Sequence, residues 1–282
     1  MIYGKKSVAI LLVGFLVFGA AGCTRSEAAA SNDSSLTKVQ SAKKLRYGVI
    51  VGEEPGFIRG ADGEWHGYLA DTAQEIAKEL GLEPVAVETT WGNMALDLKT
   101  DKIDLAIGAQ PTGKRSLVVD YTTHPIYTNY FSLIVTSSTR DMSRWSQLNS
   151  KDVKIGAQTG DSTLQPIQRF APTAQTVMFD SRDKGLLALQ AGRTDAQANT
   201  LLNSLMAAKS RKDLRARVVV PEPLVAAPSA VMVARNADQS LLHAVDAVVW
   251  NLNASGFVRA SIVKYLAEYG ITEADLPQNA VL

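Results

Sequence analysis

Apolar and polar positions alternate along most of this chain in two rhythms. Leu45 to Val51 is a short apolar run of strand character. From Gly67 the apolar residues Leu69, Ala73, Ile76 and Leu80 recur at helical spacing, with Gly81 as a stop. Strand character returns at Pro84 to Glu88, a short helix fits Trp91 to Leu98, and Ile103 to Ile107 reads as a third strand. Short joins between alternating strands and helices predict a parallel β-α-β-α-β unit. A polar loop, Gln110 to Arg115, breaks the rhythm.

Phe131 to Thr136 is strand-like, and Val153 to Gln158 opens a second unit. It continues through the turn Thr159 to Thr163, a helix at Lys184 to Gln190 and a strand at Asp195 to Asn199. Val218 to Val220 and Ala230 to Ala234 are further strands. Leu241, Val245, Val248 and Leu252 form one helical stripe, and Ile262 with Leu266 starts another. The pattern predicts an α/β protein of two lobes, in which the last helices need an apolar surface to cover.

The first residues follow a different logic. Lys5 and Lys6 precede an almost wholly apolar run, Val8 to Ala21, which ends at Gly22 and Cys23. That layout predicts a signal peptide over 1–22, since the run is short for a bilayer span. Ala20-Ala21-Gly22-Cys23 resembles the lipobox of bacterial lipoproteins, although Ala20 stands where that family prefers Leu. The resemblance implies lipidation at Cys23 and attachment to a membrane through that lipid only. Residues 23–40 are rich in Ser, Ala and polar side chains and are expected to form a flexible tether.

Composition narrows the chemistry. The 282 residues carry 29 basic and 28 acidic side chains, a formal net charge of +1. No basic face is evident, so a nucleic-acid partner is not expected. Three histidines and one cysteine are too few for the usual zinc site, and one cysteine cannot form an internal disulfide. No metal, cofactor or catalytic residue is expected. No Ser-His-Asp or Cys-His arrangement stands out.

Arg115 carries the most chemical information. It follows a strand, in a loop with Thr112 and Gly113. A guanidinium can fork onto a carboxylate through two parallel hydrogen bonds, and Thr112 with nearby N–H groups could complete the anion's shell. A solvated loop arginine is the alternative from the bare sequence.

Five motifs in order add to this reading: Gly67-Tyr68-Leu69-Ala70-Asp71, Ile103-Asp104-Leu105-Ala106-Ile107-Gly108, Thr112-Gly113-Lys114-Arg115, Val119-Asp120-Tyr121-Thr122 and Pro125-Ile126-Tyr127. With Lys154-Ile155-Gly156 and Gly192-Arg193-Thr194-Asp195-Ala196, the chain resembles the family 3 extracellular solute-binding proteins over Leu45 to Leu266. The resemblance implies the type II periplasmic-binding-protein fold, with a ligand cleft between lobes and two crossing strands as hinge. Lobe 1 is expected over 41–131 plus 230–282 and lobe 2 over 132–229. It implies a monomer that binds a small carboxylate ligand, an amino acid or related organic acid, and delivers it to an ABC permease in the inner membrane. The implied ligand-binding residues are Arg115, Thr112, Gln110, Phe57, Trp91, Asp161, Ser162, Thr163 and Thr200.

Two departures bear on the ligand. Gln110 stands where the family usually has Thr or Ser. Thr200 stands where an aspartate normally grips the ligand's α-ammonium, and threonine offers no charge. Either another acid, such as Asp161, Glu53 or Glu54, holds the ammonium, or the ligand lacks an α-amino group; the threonine favours the second. Two alternative functions differ in class. One is an exported cyclohexadienyl or arogenate dehydratase on the same fold, which needs an acid beside a leaving hydroxyl. The other is a ligand receptor for a separate signalling or dehydrogenase system.

Overall fold

The computed structural model describes residues 34–136, 141–236 and 238–277, together with Met1 and Gly4. The expected signal peptide, apart from those two positions, lies outside the described residues, as do Cys23 and the tether up to residue 33. The chain forms two compact units, Met1–Asn32 and Asp33–Leu282, and every element below belongs to the second.

Helix α1 (Ser35–Ala42) corrects the tether, which was expected to run to residue 40. Ser34 caps it by accepting the Thr37 N–H, and Val39 is buried in the core against the first strand and a late helix. The stretch carries only Leu36 and Val39 as large apolar residues, too few to stand out from a polar linker.

The first lobe begins with β1 (Lys44–Ile50), a two-residue hairpin of β2 (Ile58–Arg59) and β3 (Trp65–His66), and α2 (Tyr68–Glu79). It continues through β4 (Glu83–Thr89), α3 (Met94–Lys99), β5 (Leu105–Ala109) and β6 (Val119–Tyr121). β1 pairs in parallel with β4 on one side and β5 on the other. All five residues of β5 are buried, as a central parallel strand covered on both faces requires. Leu69, Ala73 and Ile76 lie on the buried face of α2, as their spacing predicts. Gly67 starts that helix at φ 107°, and a Cβ there would lie 2.5 Å from the Gly56 carbonyl oxygen, so only glycine fits.

β7 (Tyr127–Thr136) carries the chain into the second lobe. There follow α4 (Trp145–Leu148), β8 (Lys154–Gln158), α5 (Leu164–Phe170), β9 (Gln175–Phe179), α6 (Arg182–Gln190), β10 (Ala196–Thr200), α7 (Leu201–Ser210) and β11 (Ala216–Val219). β8 pairs in parallel with β9 and β10, and β7 runs antiparallel to β10 and β11. β12 (Ala226–Ala234) returns the chain and pairs antiparallel with β5 and β6. β7 and β12 also pair with each other, Tyr127 to Tyr130 against Ala226 to Ser229, and so form the two crossing strands. The strand order is β4-β1-β5-β12-β7-β10-β8-β9. This is the two-lobed α/β architecture of type II solute-binding proteins.

α8 (Ser240–Ala254) and α9 (Phe257–Glu268) come last. Val245, Val249 and Ile262 are fully buried, and both helices pack against α2. They complete the core of the first lobe, which is the surface their stripes called for.

Candidate functional site

Six chain segments meet where the lobes face each other. Each leaves the carboxyl end of a strand, where open parallel sheets place their ligands. From the first lobe come the turn after β1 with Gly52 to Glu54, Trp91 after β4, and Gln110 to Arg115 after β5. From the second come Gly160 to Thr163 after β8, Arg182 after β9, and Thr200 with Asn203 at the end of β10.

Arg115 is the centre of one half of the site. Only 8% of it is exposed. Its Nη1 donates to the Gln110 carbonyl at 3.1 Å. Its Nη2 donates across the cleft to the Gly160 carbonyl at 2.8 Å, and to the Trp91 carbonyl at 3.4 Å. The guanidinium carbon lies 5.8 Å from the Trp91 ring centroid, within cation–π range. The Thr112 hydroxyl accepts the Arg115 backbone N–H at 3.2 Å and so fixes the loop. Among the described residues no carboxylate pairs with Arg115, so carbonyl dipoles and the Trp91 ring, rather than an opposite charge, offset its buried charge.

The second half is a buried ion network. Arg182 donates through Nη1 to Glu53 Oε2 at 2.8 Å and to the Gly52 carbonyl at 3.2 Å, both in the opposite lobe. Its Nη2 lies 3.7 Å from Asp161 Oδ2. Glu53 also accepts the Trp91 indole N–H at 2.7 Å. Burial pushes the Glu53 carboxyl above its ordinary range, against the pull of Arg182. Thr200 donates to Asn203 Oδ1 at 2.7 Å, and Asn203 in turn donates to the Glu54 carbonyl at 3.0 Å. Gln110 joins both lobes: its Oε1 accepts Ser162 Oγ at 2.7 Å, and its Nε2 donates to Ser229 Oγ on β12 at 3.0 Å.

The structure therefore gathers Arg115, Thr112, Gln110, Trp91, Asp161, Ser162, Thr163 and Thr200 around one cleft. Phe57 is 1% exposed and belongs, like Trp91, to the hydrophobic core cluster of the first lobe. Arg182 and Asn203 are additions the sequence did not suggest. Arg182 opens α6 behind Ser181, two residues ahead of the helix expected from Lys184; only the meeting of the lobes brings it to Glu53. Gly160 opens the turn Gly160 to Thr163, which the family resemblance already pointed to. It sits at φ 82°, and a Cβ on it would come within 2.6 Å of the Gly92 backbone nitrogen.

Comparison with known proteins places this architecture. Residues 45–268 match the family of bacterial extracellular solute-binding proteins, family 3. ABC transporter arginine-binding protein 1 of Escherichia coli (strain K12) is 30% identical over 156 residues, which is 55% of this chain and 62% of that protein. An amino acid ABC transporter substrate-binding protein from Streptococcus pneumoniae, solved bound to L-arginine, is 26% identical with a TM-score of 0.73, over 85% of this chain and 99% of that one. The ancestral amino acid-binding protein AncCDT-1, a precursor of cyclohexadienyl dehydratase, is also 26% identical with a TM-score of 0.73, over 82% and 99%.

Proposed function

Because the chain belongs to the bacterial extracellular solute-binding proteins, family 3, we propose that its cleft clamps a small ligand by a carboxylate held on Arg115, for delivery to an ABC permease. The observation that carries this reading is the buried Arg115 guanidinium, with no acid beside it among the described residues. A positive charge under a strand end, stacked on Trp91 and flanked by Thr112, is a fixed half of a fork waiting for two oxygens. The Gly160 carbonyl that it touches belongs to the other lobe, so a carboxylate entering here must part the lobes and then be covered by the Gly160 to Thr163 turn. Ser162 and Thr163 then lie at the anion, and Gln110 links the ligand loop to the hinge strand β12.

The ligand class follows the relatives, whose names give amino acids. We read the protein as a binder that returns its ligand unchanged, works outside the cytoplasm as a monomer, and is anchored by lipid at Cys23. The test is Arg115→Ala, assayed by thermal shift and calorimetry with a panel of L-amino acids and small carboxylates. Affinity is expected to fall by roughly 100-fold or more, with the unliganded melting temperature close to wild type. Retained affinity would remove the carboxylate anchor. Chromatography of the bound ligand, and of prephenate incubated with the protein, is expected to recover each compound intact.

A further inference from the structure

The cleft carries its second charge centre away from the position the family pattern points to. Thr200 holds no charge, and its hydroxyl is spent on Asn203. The acids that do reach the cleft are Glu53 and Asp161, with Glu54 half-buried beside them. They are not equivalent. Glu53 accepts a 2.7 Å bond from Trp91 and a 2.8 Å bond from Arg182, and Asn203 approaches it at 3.4 Å. Its acceptor capacity is largely filled. The side chain of Asp161 is 8% exposed, as buried as Arg182, yet only Oδ1 has a hydrogen bond, from the Thr163 N–H at 2.8 Å. Its Oδ2 has only Arg182 at 3.7 Å, too far for a hydrogen bond. Arg182 is held in that position by Glu53 and the Gly52 carbonyl, so it cannot close the gap without giving up both.

A largely enclosed carboxylate oxygen that accepts no hydrogen bond is a natural acceptor for a cationic donor. The Thr163 hydroxyl in the same turn is buried and also has no partner. Asp161 follows Gly160, whose carbonyl Arg115 touches, so the under-satisfied anion sits one residue from the unpaired cation. Cation and anion so placed, and both short of partners, complement a molecule that carries the opposite charges on neighbouring atoms.

We propose that Asp161 is the ammonium-binding residue of this cleft, that Glu53 and Arg182 position it, and that the ligand is an α-amino acid rather than its desamino carboxylate. This rests on the assignment of Arg115 to the carboxylate. The relocation moves the acid from the end of β10 to the turn after β8, beside the carboxylate anchor.

The experiment uses the full chain and three variants, Asp161→Asn, Asp161→Glu and Arg115→Ala. Each is titrated with the L-amino acid that stabilises wild type most and with its desamino analogue. Asp161→Asn is expected to bind the amino acid roughly 30-fold more weakly or worse, while the weaker binding of the desamino analogue is unchanged. Asp161→Glu keeps the charge and is expected to recover part of the loss. The inference is overturned if the analogue binds wild type as tightly as the amino acid, if Asp161→Asn binds as wild type does, or if Asn and Glu lose affinity equally. In each of those cases a loss in Arg115→Ala leaves the carboxylate reading standing. If Arg115→Ala binds normally, or neither panel stabilises wild type, both readings fall.

Discussion

Two buried arginines in one cleft show how differently the same residue type can be employed. Arg115 faces carbonyl oxygens and the Trp91 ring, whereas Arg182 is paired with Glu53 and lies 3.7 Å from Asp161. The energetic consequence is testable at Arg182. Removing one partner of a buried pair strands the other, at a cost of about 3–5 kcal/mol, whereas replacing both by apolar groups is often neutral or better. Arg182→Leu is therefore expected to melt well below wild type at neutral pH, and the double variant Arg182→Leu/Glu53→Leu close to it. The pH dependence has a definite sign. The Glu53 carboxyl is already raised by burial, so its contribution to stability is full below its ordinary value of 4.5 and is lost as pH rises through the raised value. Without Arg182 that value rises further, and the deficit of the single variant should shrink as pH is lowered toward 4.5; a deficit independent of pH would mean that Glu53 is not the stranded charge. Arg115 was legible in sequence because it sits in a motif with Thr112 and Gly113. Arg182 was not, because its partner Glu53 comes from a distant turn and no local pattern couples them.

At the scale of elements, helices and strands buried by apolar contacts were readable and those held by polar contacts were not. The stripe of α2 and the run of β5 announced themselves. The start of β7 did not, because Thr128 and Asn129 interrupt it; Asn129 is buried and accepts the Tyr130 N–H at 2.9 Å. Likewise the Tyr68 and Tyr127 hydroxyls meet at 3.0 Å beneath the hinge, a contact between elements that periodicity does not encode. The turn between β8 and α5 depends on Gly160 in both conformation and space. Gly160→Ala must hold an L-residue at positive φ, at a cost of roughly 1–2 kcal/mol, and must move its Cβ away from Gly92. The second penalty exists only when the lobes touch. Ligand affinity should therefore fall by more than the loss of unliganded stability accounts for, a comparison that calorimetry and thermal melting make directly. Equal losses would place the strain within the second lobe alone.

For the whole molecule, the alternation of two β-α rhythms was sufficient to foresee two lobes, because each lobe needs a covered parallel sheet of its own. The contact between lobes was beyond reach of the pattern, since it depends on side chains from six separate turns. The proposed lipid anchor is tested on the intact chain: Cys23→Ser is expected to move the protein from the membrane fraction to the soluble extracytoplasmic fraction, and an unchanged distribution would dismiss the anchor. The crossing strands have a last consequence, for assembly in time. The pairs within the second lobe are supplied by one continuous stretch of chain, whereas β5 of the first lobe finds β12 only after that stretch has passed, with Leu105 bonded beside Val233 and Ala109 beside Ala230. A chain that emerges N-terminus first exposes β5 as an open edge throughout that interval. The lobe that emerges first is thus obliged to finish last, and its slow, long-range closure sets the period in which the newborn protein is open to misassociation.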